Sequence, residues 1–283
     1  MSLSSFHGGH SRFSHGRDEV REIAAAAGSK NFVAFGFTEH FQTPPMAMSP
    51  DMALHDQLAR FDEYAADVRA AQQAHPFVLL GAEVEYIRGA LDWTREHVSR
   101  WPFDYLVGSV HYIRLGDADI LIDWERPCVD DALERAGGPE CLQLEYYEHL
   151  LELVEWKLAT VIGHFDLIKM WLTPEEAVRT PAIEAAVRAV LEAMRDADVA
   201  MDVNARGLLK PCKRIYPDDW ILAEARRIGV PVTLGDDSHG AADVGLNLEV
   251  AVDAIVRAGY EHVWLVRPGG GLEPSPLPAP QRG

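Results

Sequence analysis

The sequence predicts an α/β fold, a single barrel in which about seven strands alternate with helices. Short apolar runs typical of buried strands alternate with longer segments whose apolar residues recur at helical spacing, and no linker interrupts them. Several of the apolar runs are followed immediately by residue types that bind metal ions. The parallel strands of a barrel all end at one common face. A doubly wound sheet is the alternative, but side chains from so many strand ends converge more directly in a closed barrel.

The predicted elements alternate from one end of the chain to the other. A Gly- and Ser-rich stretch that carries three histidines, residues 4–16, precedes the first helix. A polar, irregular segment, residues 114–139, is expected to be an insertion over the mouth of the barrel. The predicted strands begin near residues 32, 77, 105, 160, 200, 230 and 262, and the predicted helices span about 17–28, 51–75, 89–100, 140–157, 181–197, 217–228 and 246–258.

Local signals support the predicted helices. Asp18 and Glu19 lie in the first turn of the first helix, where the helix dipole favours anions, and Gly28 ends that helix. The second and longest helix carries Leu58 and Phe61 among apolar residues at helical spacing. Such amphipathic helices each bury one face, which is what a barrel requires of the helices between its strands.

Length and charge restrict the possible partners. The 283 residues, 48% hydrophobic and 25% charged, suffice for one globular barrel, which we assign to residues 1–267. The Pro- and Gly-rich tail, residues 268–283, has the composition of a disordered end. The formal net charge of −18 disfavours nucleic acid or an anionic membrane as partner, because both are polyanions. A small anionic substrate remains compatible if metal ions reverse the sign of the charge locally.

Cysteine usage and hydropathy predict a cytoplasmic protein. The three cysteines are widely spaced and form no CxxC pair, so neither a disulfide framework nor a zinc knuckle is indicated. The first residues lack the basic and apolar regions of a signal peptide, and no apolar run approaches the roughly 20 residues that a membrane span needs. We therefore expect no membrane partner.

Potential metal ligands cluster at the ends of the predicted strands. The stretch Gly235–His239 ends one strand with two carboxylates and an imidazole, a burial of charge that is costly unless cations or hydrogen bonds compensate it. One catalytic zinc uses about three protein ligands, so a larger set indicates two or three ions that share a bridging carboxylate. Alternatively, single histidines cap helices or bond backbone carbonyls. The candidate ligands are His7, His10, His15, His40, Glu83, His111, His164, Asp237 and His239.

The order of these motifs resembles that of the PHP (polymerase and histidinol phosphatase) superfamily. The shared order is an N-terminal histidine cluster, then Thr-Glu-His, Gly-x-Glu, Gly-Ser-Val-His, Gly-His-x-Asp and Asp-x-His. The resemblance covers about residues 6–250, and the combined motifs are far more specific than any one of them. Within the superfamily, four stretches of this chain resemble the histidinol-phosphatases. They are FDYLVGSVHYI, VIGHFDLIK, DVNARGLLKPCKRIYP and LGDDSHGAADVG.

The resemblance implies a distorted (β/α)7 barrel with three metal ions at the C-terminal ends of the strands. The mixed imidazole and carboxylate ligands suit zinc, iron or manganese. Asp166 would orient His164 or another ligand, and we count it with Glu83 and Asp237 as a catalytic residue. The implied ligand sets are His7, a neighbouring histidine, Glu83 and Asp237 for the first ion, Glu83, His111 and His164 for the second, and His15, His40 and His239 for the third.

Two departures from the family pattern affect these expectations. The family begins with His-x-His, whereas this chain has two glycines between His7 and His10. Either the glycines bulge so that His10 still binds, or the first ion has one protein ligand fewer. Leu209 takes a place where family members often carry an arginine. The phosphate of the substrate would then be bound by a neighbouring basic side chain, for which the candidates are Arg206, Lys210 and Lys213.

The implied activity is hydrolysis of a small phosphomonoester, L-histidinol phosphate, to L-histidinol and phosphate in histidine biosynthesis. The attacking group would be a hydroxide that bridges metal ions, because no Ser or Cys nucleophile with a paired base is evident. A PHP-type phosphoesterase for another phosphate ester, such as a nucleotide or sugar phosphate, is the alternative. A catalytically silent scaffold would predict gaps in the ligand set. An amidohydrolase-type enzyme would show a clean His-x-His and often a bridging lysine.

Overall fold

Seven parallel strands surround an apolar interior in this computed structural model, which describes residues 3–41, 44 and 54–277, with side chains left undescribed at 54–57. The central sheet has the order β1-β2-β3-β4-β7-β8-β9. The described strands are β1 (Leu3–Ser5), β2 (Phe32–His40), β3 (Val78–Glu85), β4 (Tyr105–Ser109), β5 (Tyr112–Leu115), β6 (Ala118–Leu121), β7 (Val161–Ile162), β8 (Ala200–Asn204), β9 (Val232–Gly235), β10 (His262–Val266) and β11 (Leu272–Pro276).

The two edges of this sheet approach each other closely enough to make the barrel nearly closed. Just beyond β1, the Phe6 amide donates to the Leu234 carbonyl of β9 at 2.9 Å. The Asp237 amide returns a hydrogen bond to the His7 carbonyl at 2.8 Å. The α/β barrel prediction is therefore confirmed, including its distorted seven-stranded form.

One of the seven strands differs from the prediction. The segment Leu3–Ser5, which overlaps the start of the Gly- and Ser-rich stretch, pairs in parallel with β2. The predicted strand near residue 262 is β10, which lies outside the central sheet and pairs with β11 instead. Three residues are too few to show the periodicity by which a strand is recognised in a sequence.

The C-terminal tail is partly ordered. Disorder was predicted from residue 268, and this is wrong for Leu272–Pro276, which pairs antiparallel with β10. Gly269 and Gly270 adopt positive φ angles of 89° and 82° in the connecting turn, so these glycines serve a hairpin. Val266 and Leu272 pack against the apolar interior at the end of the barrel where β1 begins. Residues 278–283 lie outside the described residues.

The segment 114–139 is also more regular than predicted. It contains most of the β5–β6 hairpin and a helix, Arg126–Ala136, so the prediction of an irregular insertion is wrong. Its Gly and Pro residues, which suggested a loop, occupy a turn and helix ends: Gly116 has φ 67°, and Gly137 caps the helix with φ 84°. The Ile122 amide donates to the His111 carbonyl at 2.9 Å, which holds the hairpin beside the end of β4.

Amphipathic helices connect the strands. Apart from the additional helix at Arg126–Ala136, their described ends agree with the predicted helices to within three residues. Thr180 shows why one of them begins where it does, since its hydroxyl accepts a hydrogen bond from the Ile183 amide and Pro181 follows as the first helical residue. None of the described helices is both long and apolar enough to span a membrane. The helices are α1 (Val20–Ser29), α2 (Leu54–Ala74), α3 (Leu91–Val98), α4 (Arg126–Ala136), α5 (Pro139–Glu155), α6 (Pro181–Asp196), α7 (Asp219–Ile228) and α8 (Leu248–Arg257).

Tyr105 fills much of the barrel interior below the strand ends. Its side chain is buried, and its hydroxyl donates to the Phe6 carbonyl at 2.8 Å. Gly36 leaves the space that the ring needs, because a Cβ atom there would lie 1.7 Å from the Tyr105 hydroxyl oxygen. Around it pack apolar side chains that include Phe6 and Val107. The barrel is thus apolar at this level, and its polar side chains gather at the C-terminal ends of the strands.

Tyr105→Phe is expected to lower the free energy of unfolding by about 1–3 kcal/mol, because the buried Phe6 carbonyl would lose its donor. Chemical denaturation with chelator present measures this change apart from metal binding. Tyr112→Phe is the matched control: Tyr112 is only half-buried, and we expect a change within about 0.5 kcal/mol. Equal losses in the two variants would contradict a specific role for the Tyr105 hydroxyl.

Candidate metal centre

The structure brings the nine candidate ligands together at the C-terminal ends of the strands. Four overlapping groups of three have potential ligand atoms within 4.8 Å of one another. His15 joins them through His239, with a distance of 2.5 Å between the two Nε2 atoms. The four groups are His7–Glu83–His164, His7–His10–Asp237, His40–Glu83–His111 and His10–His40–His239.

Glu83 lies at the centre of this cluster. It is buried near the end of β3, which pairs with β2 on one side and β4 on the other. Its Oε1 atom is 3.3 Å from His7 Nε2 and 3.2 Å from His164 Nε2, and its Oε2 atom is 3.1 Å from His40 Nδ1. Since the two oxygens face different imidazoles, this carboxylate belongs to two of the four groups of potential ligands.

Two glycines bring His10 into the cluster. Gly8 and Gly9 have φ angles of 154° and 65°, and a Cβ atom on Gly8 would lie 2.3 Å from Asp236 Oδ1. The chain therefore bulges after His7, as the first of the two sequence-based alternatives requires. His10 is buried, and its Nε2 lies 3.3 Å from Asp237 Oδ1.

A buried acid outside the predicted ligand set, Glu39, holds the loop that follows His10. Glu39 accepts hydrogen bonds from the amide and the hydroxyl of Ser11, each at 2.5 Å, and from the Ser14 hydroxyl. Burial raises the pKa of Glu39 to about 7. These contacts fix the segment that carries His10 and His15. In the sequence, a role for Glu39 near the site is indicated by its position next to the candidate ligand His40.

Two further unassigned acids lie behind the candidate ligands. Asp202 Oδ2 is 2.7 Å from His7 Nδ1, and Glu85 Oε2 is 2.7 Å from His111 Nδ1. In both pairs the imidazole Nε2 faces Glu83. A carboxylate in this position orients the ring and fixes which nitrogen carries the proton. Both acids stand near strand ends in the sequence, but nothing there indicates which histidine each one contacts.

Asp166 does not orient His164 as predicted. Its Oδ2 atom accepts from Lys169 Nζ at 2.7 Å and from the Asp218 amide at 2.9 Å, and His164 Nδ1 has no partner among the described residues. His164 has a positive φ of 24°, and the chain then enters a 3-10 helix, Leu167–Met170. This turn directs the Asp166 carboxylate to the buried Lys169 instead of the ligand cluster.

The three predicted phosphate-binding residues occupy different surroundings. Arg206 Nη1 contacts Asp243 Oδ2 at 3.1 Å, and its positive charge contributes to the lowered pKa of His239. Lys210 contributes in the same way to the lowered pKa of His15, so both cations lie near the cluster. Lys213 is exposed and lines a surface groove with Arg214 and Trp220. The structure therefore does not bring Lys213 to the candidate ligands.

The pKa values of the imidazoles differ according to their neighbours. Burial, aided by nearby histidines and other cations, lowers the pKa of His15, His40 and His239 to about 4. Burial also disfavours charge on His111, but carboxylates led by that of Glu85 outweigh it and raise the pKa to about 10. The first three are therefore neutral at pH 7, the form in which imidazole binds metal ions.

Glu83 stays ionised although it is buried. Burial alone would raise its pKa, but the imidazoles of His40, His7 and others hold it well below the usual value. In turn, the carboxylates of Glu83 and Asp202 outweigh the burial of His7 and raise its pKa well above the ordinary range. The cluster is thus a compact set of opposite charges and neutral imidazole nitrogens.

Several donor atoms in the cluster have no hydrogen-bond partner among the described residues. They are fully buried, and an unsatisfied buried polar atom is costly in free energy. A neutral imidazole offers one lone pair, so divalent cations would satisfy His7 Nε2, one ring nitrogen of His10 and Glu83 Oε2, and imidazole with carboxylate is the donor set that zinc and similar ions take. The residues therefore fit a metal centre. The unpartnered atoms are His7 Nε2, both ring nitrogens of His10, Glu83 Oε2 and His164 Nδ1.

Comparison with known proteins agrees with this geometry. The family model for the PHP domain matches residues 7–206, which is more than half of the chain. The chain belongs to the PHP family. The PHP resemblance seen in the sequence motifs is therefore confirmed.

Relatives of this PHP-family chain match it over most of their length. A Schizosaccharomyces pombe protein named "Probable histidinol-phosphatase" is 30% identical over 270 residues, covering 90% of this chain and 86% of its own. The histidinol-phosphatase of Bacillus subtilis is 26% identical, covering 84% and 94%. The solved Lactococcus lactis histidinol phosphate phosphatase, complexed with zinc, L-histidinol and phosphate, shares the fold with a TM-score of 0.73 at 21% identity, covering 95% and 98%.

Zinc binding to the PHP-family chain is expected to release roughly one to two protons per chain at pH 7.5, because the raised pKa values keep His7 and His111 protonated and ligation needs them neutral. Affinity should accordingly rise with pH. Calorimetric titration in two buffers of different protonation enthalpy measures the release. Glu85→Gln removes the leading cause of the raised His111 pKa and should reduce the number of protons; no release from the wild type would contradict these charge states.

Proposed function

We propose that this protein is a metal-dependent phosphomonoesterase that hydrolyses L-histidinol phosphate to L-histidinol and phosphate. The observation that carries the proposal is the buried cluster around Glu83, in which nine potential ligands meet in a chain related over most of its length to histidinol-phosphatases. We assign this activity to one domain of about residues 1–267, acting in histidine biosynthesis in the cytoplasm. The cysteines, all free, agree with a reducing compartment.

The cofactors proposed are two or three divalent ions, with zinc, iron and manganese as candidates. Zinc is the ion named for the Lactococcus relative. Glu83 and Asp237 are the proposed carboxylates of the catalytic centre, and Glu83 would be shared between two ions because its two oxygens face different imidazoles. The proposed sets, which follow the family resemblance, are His7, His10, Glu83 and Asp237; Glu83, His111 and His164; and His15, His40 and His239. Of the four groups in the structure, His7–His10–Asp237 falls within one of these sets.

Divalent cations, when bound, lower the pKa of water and stabilise negative charge on phosphoryl oxygens. The side chains of the chain prepare the site for this chemistry. The lowered pKa of Glu83 keeps its carboxylate ionised, and the pKa of about 4 at His15, His40 and His239 keeps these rings neutral. Glu83 and His239 are buried, which fixes them in place before the substrate arrives and reduces the reorganisation needed during the reaction.

Arg206 and Lys210 are proposed to bind the phosphate group. Asp243 holds one end of the Arg206 guanidinium, while its Nε has no partner among the described residues and keeps a donor for a phosphate oxygen. Such cations explain how a chain of net charge −18 attracts an anionic ester to this face. Lys213 is left out of the proposed phosphate site because it is exposed in a groove away from the ligand cluster.

A phosphate-release assay with histidinol phosphate and a panel of nucleotide and sugar phosphates tests the proposed substrate. We expect kcat/KM for histidinol phosphate to exceed that for every other ester by at least roughly tenfold, because polar groups of a site reject analogues that leave them unpaired. Mass-spectrometric metal analysis of the same sample shows which ions are bound. A higher kcat/KM for a nucleotide or sugar phosphate would favour the alternative substrate and contradict histidinol phosphate.

Arg206→Ala is expected to raise KM for the phosphate ester by roughly tenfold or more, since a hydrogen bond to a charged group contributes about 1.5–3 kcal/mol. Steady-state kinetics at saturating metal measures the change. Lys213→Ala is the matched control, because it removes a cation from the same loop at an exposed position, and its KM should stay near the wild-type value. If Lys213→Ala instead had the larger effect, the phosphate site would lie elsewhere.

A further inference from the structure

Asp202 lies beneath the candidate metal centre and contacts two of its ligands. The side chain is fully buried on β8. Its Oδ2 atom is 2.7 Å from His7 Nδ1 and accepts a hydrogen bond from the His164 amide at 3.3 Å. The same oxygen also accepts from Asn204 Nδ2 at 2.9 Å. One carboxylate oxygen therefore holds the side chain of His7 and the backbone of His164.

The contact with His7 determines which of its nitrogens is available to a metal ion. When Nδ1 carries a proton and donates it to Asp202, the lone pair of Nε2 is free. Nε2 lies 3.3 Å from Glu83 Oε1 and has no hydrogen-bond partner among the described residues. Without the acceptor at Asp202, the ring could carry its proton on Nε2 instead, and that nitrogen could no longer act as a ligand.

The contact with His164 stabilises an unusual backbone conformation. His164 has a φ of 24°, in a region that residues other than glycine rarely adopt and that costs roughly 1–3 kcal/mol unless the surroundings enforce it. In this conformation His164 Nε2 lies 3.2 Å from Glu83 Oε1 and 3.2 Å from His111 Nε2. The hydrogen bond from the His164 amide to Asp202 is a direct means of holding it there.

Gly235 on β9 leaves the space that the Asp202 carboxylate occupies. A Cβ atom at Gly235 would lie 2.1 Å from Asp202 Oδ1. The other acid behind the centre, Glu85, contacts one candidate ligand only, since both of its oxygens accept from His111. Asp202 thus differs from Glu85 in contacting two candidate ligands. His7 and His164 lie with Glu83 in one group of potential ligand atoms, and the proposed sets divide them between two neighbouring ions that share Glu83.

We propose that Asp202 is a positioning residue that couples two metal sites, the one containing His7 and the one containing His164, so that its loss weakens both together. This inference rests on the proposed metal-dependent function. It assigns to Asp202 no contact with substrate, and it predicts an effect on metal binding that is measured without any substrate present.

Asp202→Ala and Asp202→Asn test the proposal. Zinc bound per chain is measured by equilibrium dialysis with mass-spectrometric metal analysis over a range of free zinc concentrations. For Asp202→Ala we expect two ions to be held about 10–100-fold more weakly, the usual effect of removing such a carboxylate. Asp202→Asn keeps an oxygen that can accept from His7 Nδ1, and we expect it to recover part of the lost affinity.

Two controls separate positioning from general damage to the fold. Thr233→Val alters a buried side chain at the position of β9 that pairs with Asp202, and its hydroxyl has no partner among the described residues, so zinc binding should be unchanged. Glu85→Gln should weaken one ion only. Circular dichroism checks that each variant is folded. If Asp202→Ala does not fold, the zinc affinity of Asp202→Asn is the test.

The possible outcomes decide the proposal. Wild-type zinc affinity in a folded Asp202 variant, or weakening of a single ion as in Glu85→Gln, would overturn the coupling. The proposal is supported if Asp202→Ala lowers the zinc affinity of two sites, Asp202→Asn recovers part of that affinity, and Thr233→Val keeps the wild-type affinity. Because metal is counted directly, failure of the wild type to hydrolyse histidinol phosphate would refute the proposed substrate and leave this result standing.

Discussion

The burial of the Glu83 carboxylate is the constraint on which the rest of the site depends. An ionised carboxylate removed from water costs several kcal/mol unless opposite charge and hydrogen bonds compensate it. The barrel supplies this compensation by directing imidazoles from several strand ends at one point, and the pKa of Glu83 stays low as a result. The imidazoles within 3.7 Å of its oxygens are those of His7, His10, His40, His111 and His164.

Several imidazoles of the cluster are themselves held from behind, by contacts of three kinds. Carboxylates hold His7 and His111, a backbone carbonyl holds His239, and a glycine bulge carries His10 inward. Polar partners of this kind orient ligands before an ion arrives, so less of the binding free energy goes into ordering side chains. The strand ends therefore act as a rigid frame, in which the chemistry of each ring follows from the atom that lies behind it.

Much of this could be predicted from the sequence, because strand-end ligands and helical periodicity are local patterns. The barrel, the nine clustered side chains and the helices other than α4 all leave such patterns. The three-residue strand at Leu3–Ser5 is too short to leave one. The contacts of Asp202 with His7 and of Asp166 with Lys169 depend on where a carboxylate points after the chain turns, and no spacing rule contains that information.

The opposite end of the barrel is filled by side chains, which limits the routes by which molecules can reach the site. Tyr105 and Phe6 occupy the interior beneath the ligands, and the β10–β11 hairpin lies across the far opening with Val266 turned inward. The interior beneath the candidate ligands is therefore closed by packed apolar side chains. In the proposed hydrolysis, ester and water would therefore enter, and alcohol and inorganic phosphate would leave, at the face formed by the strand ends.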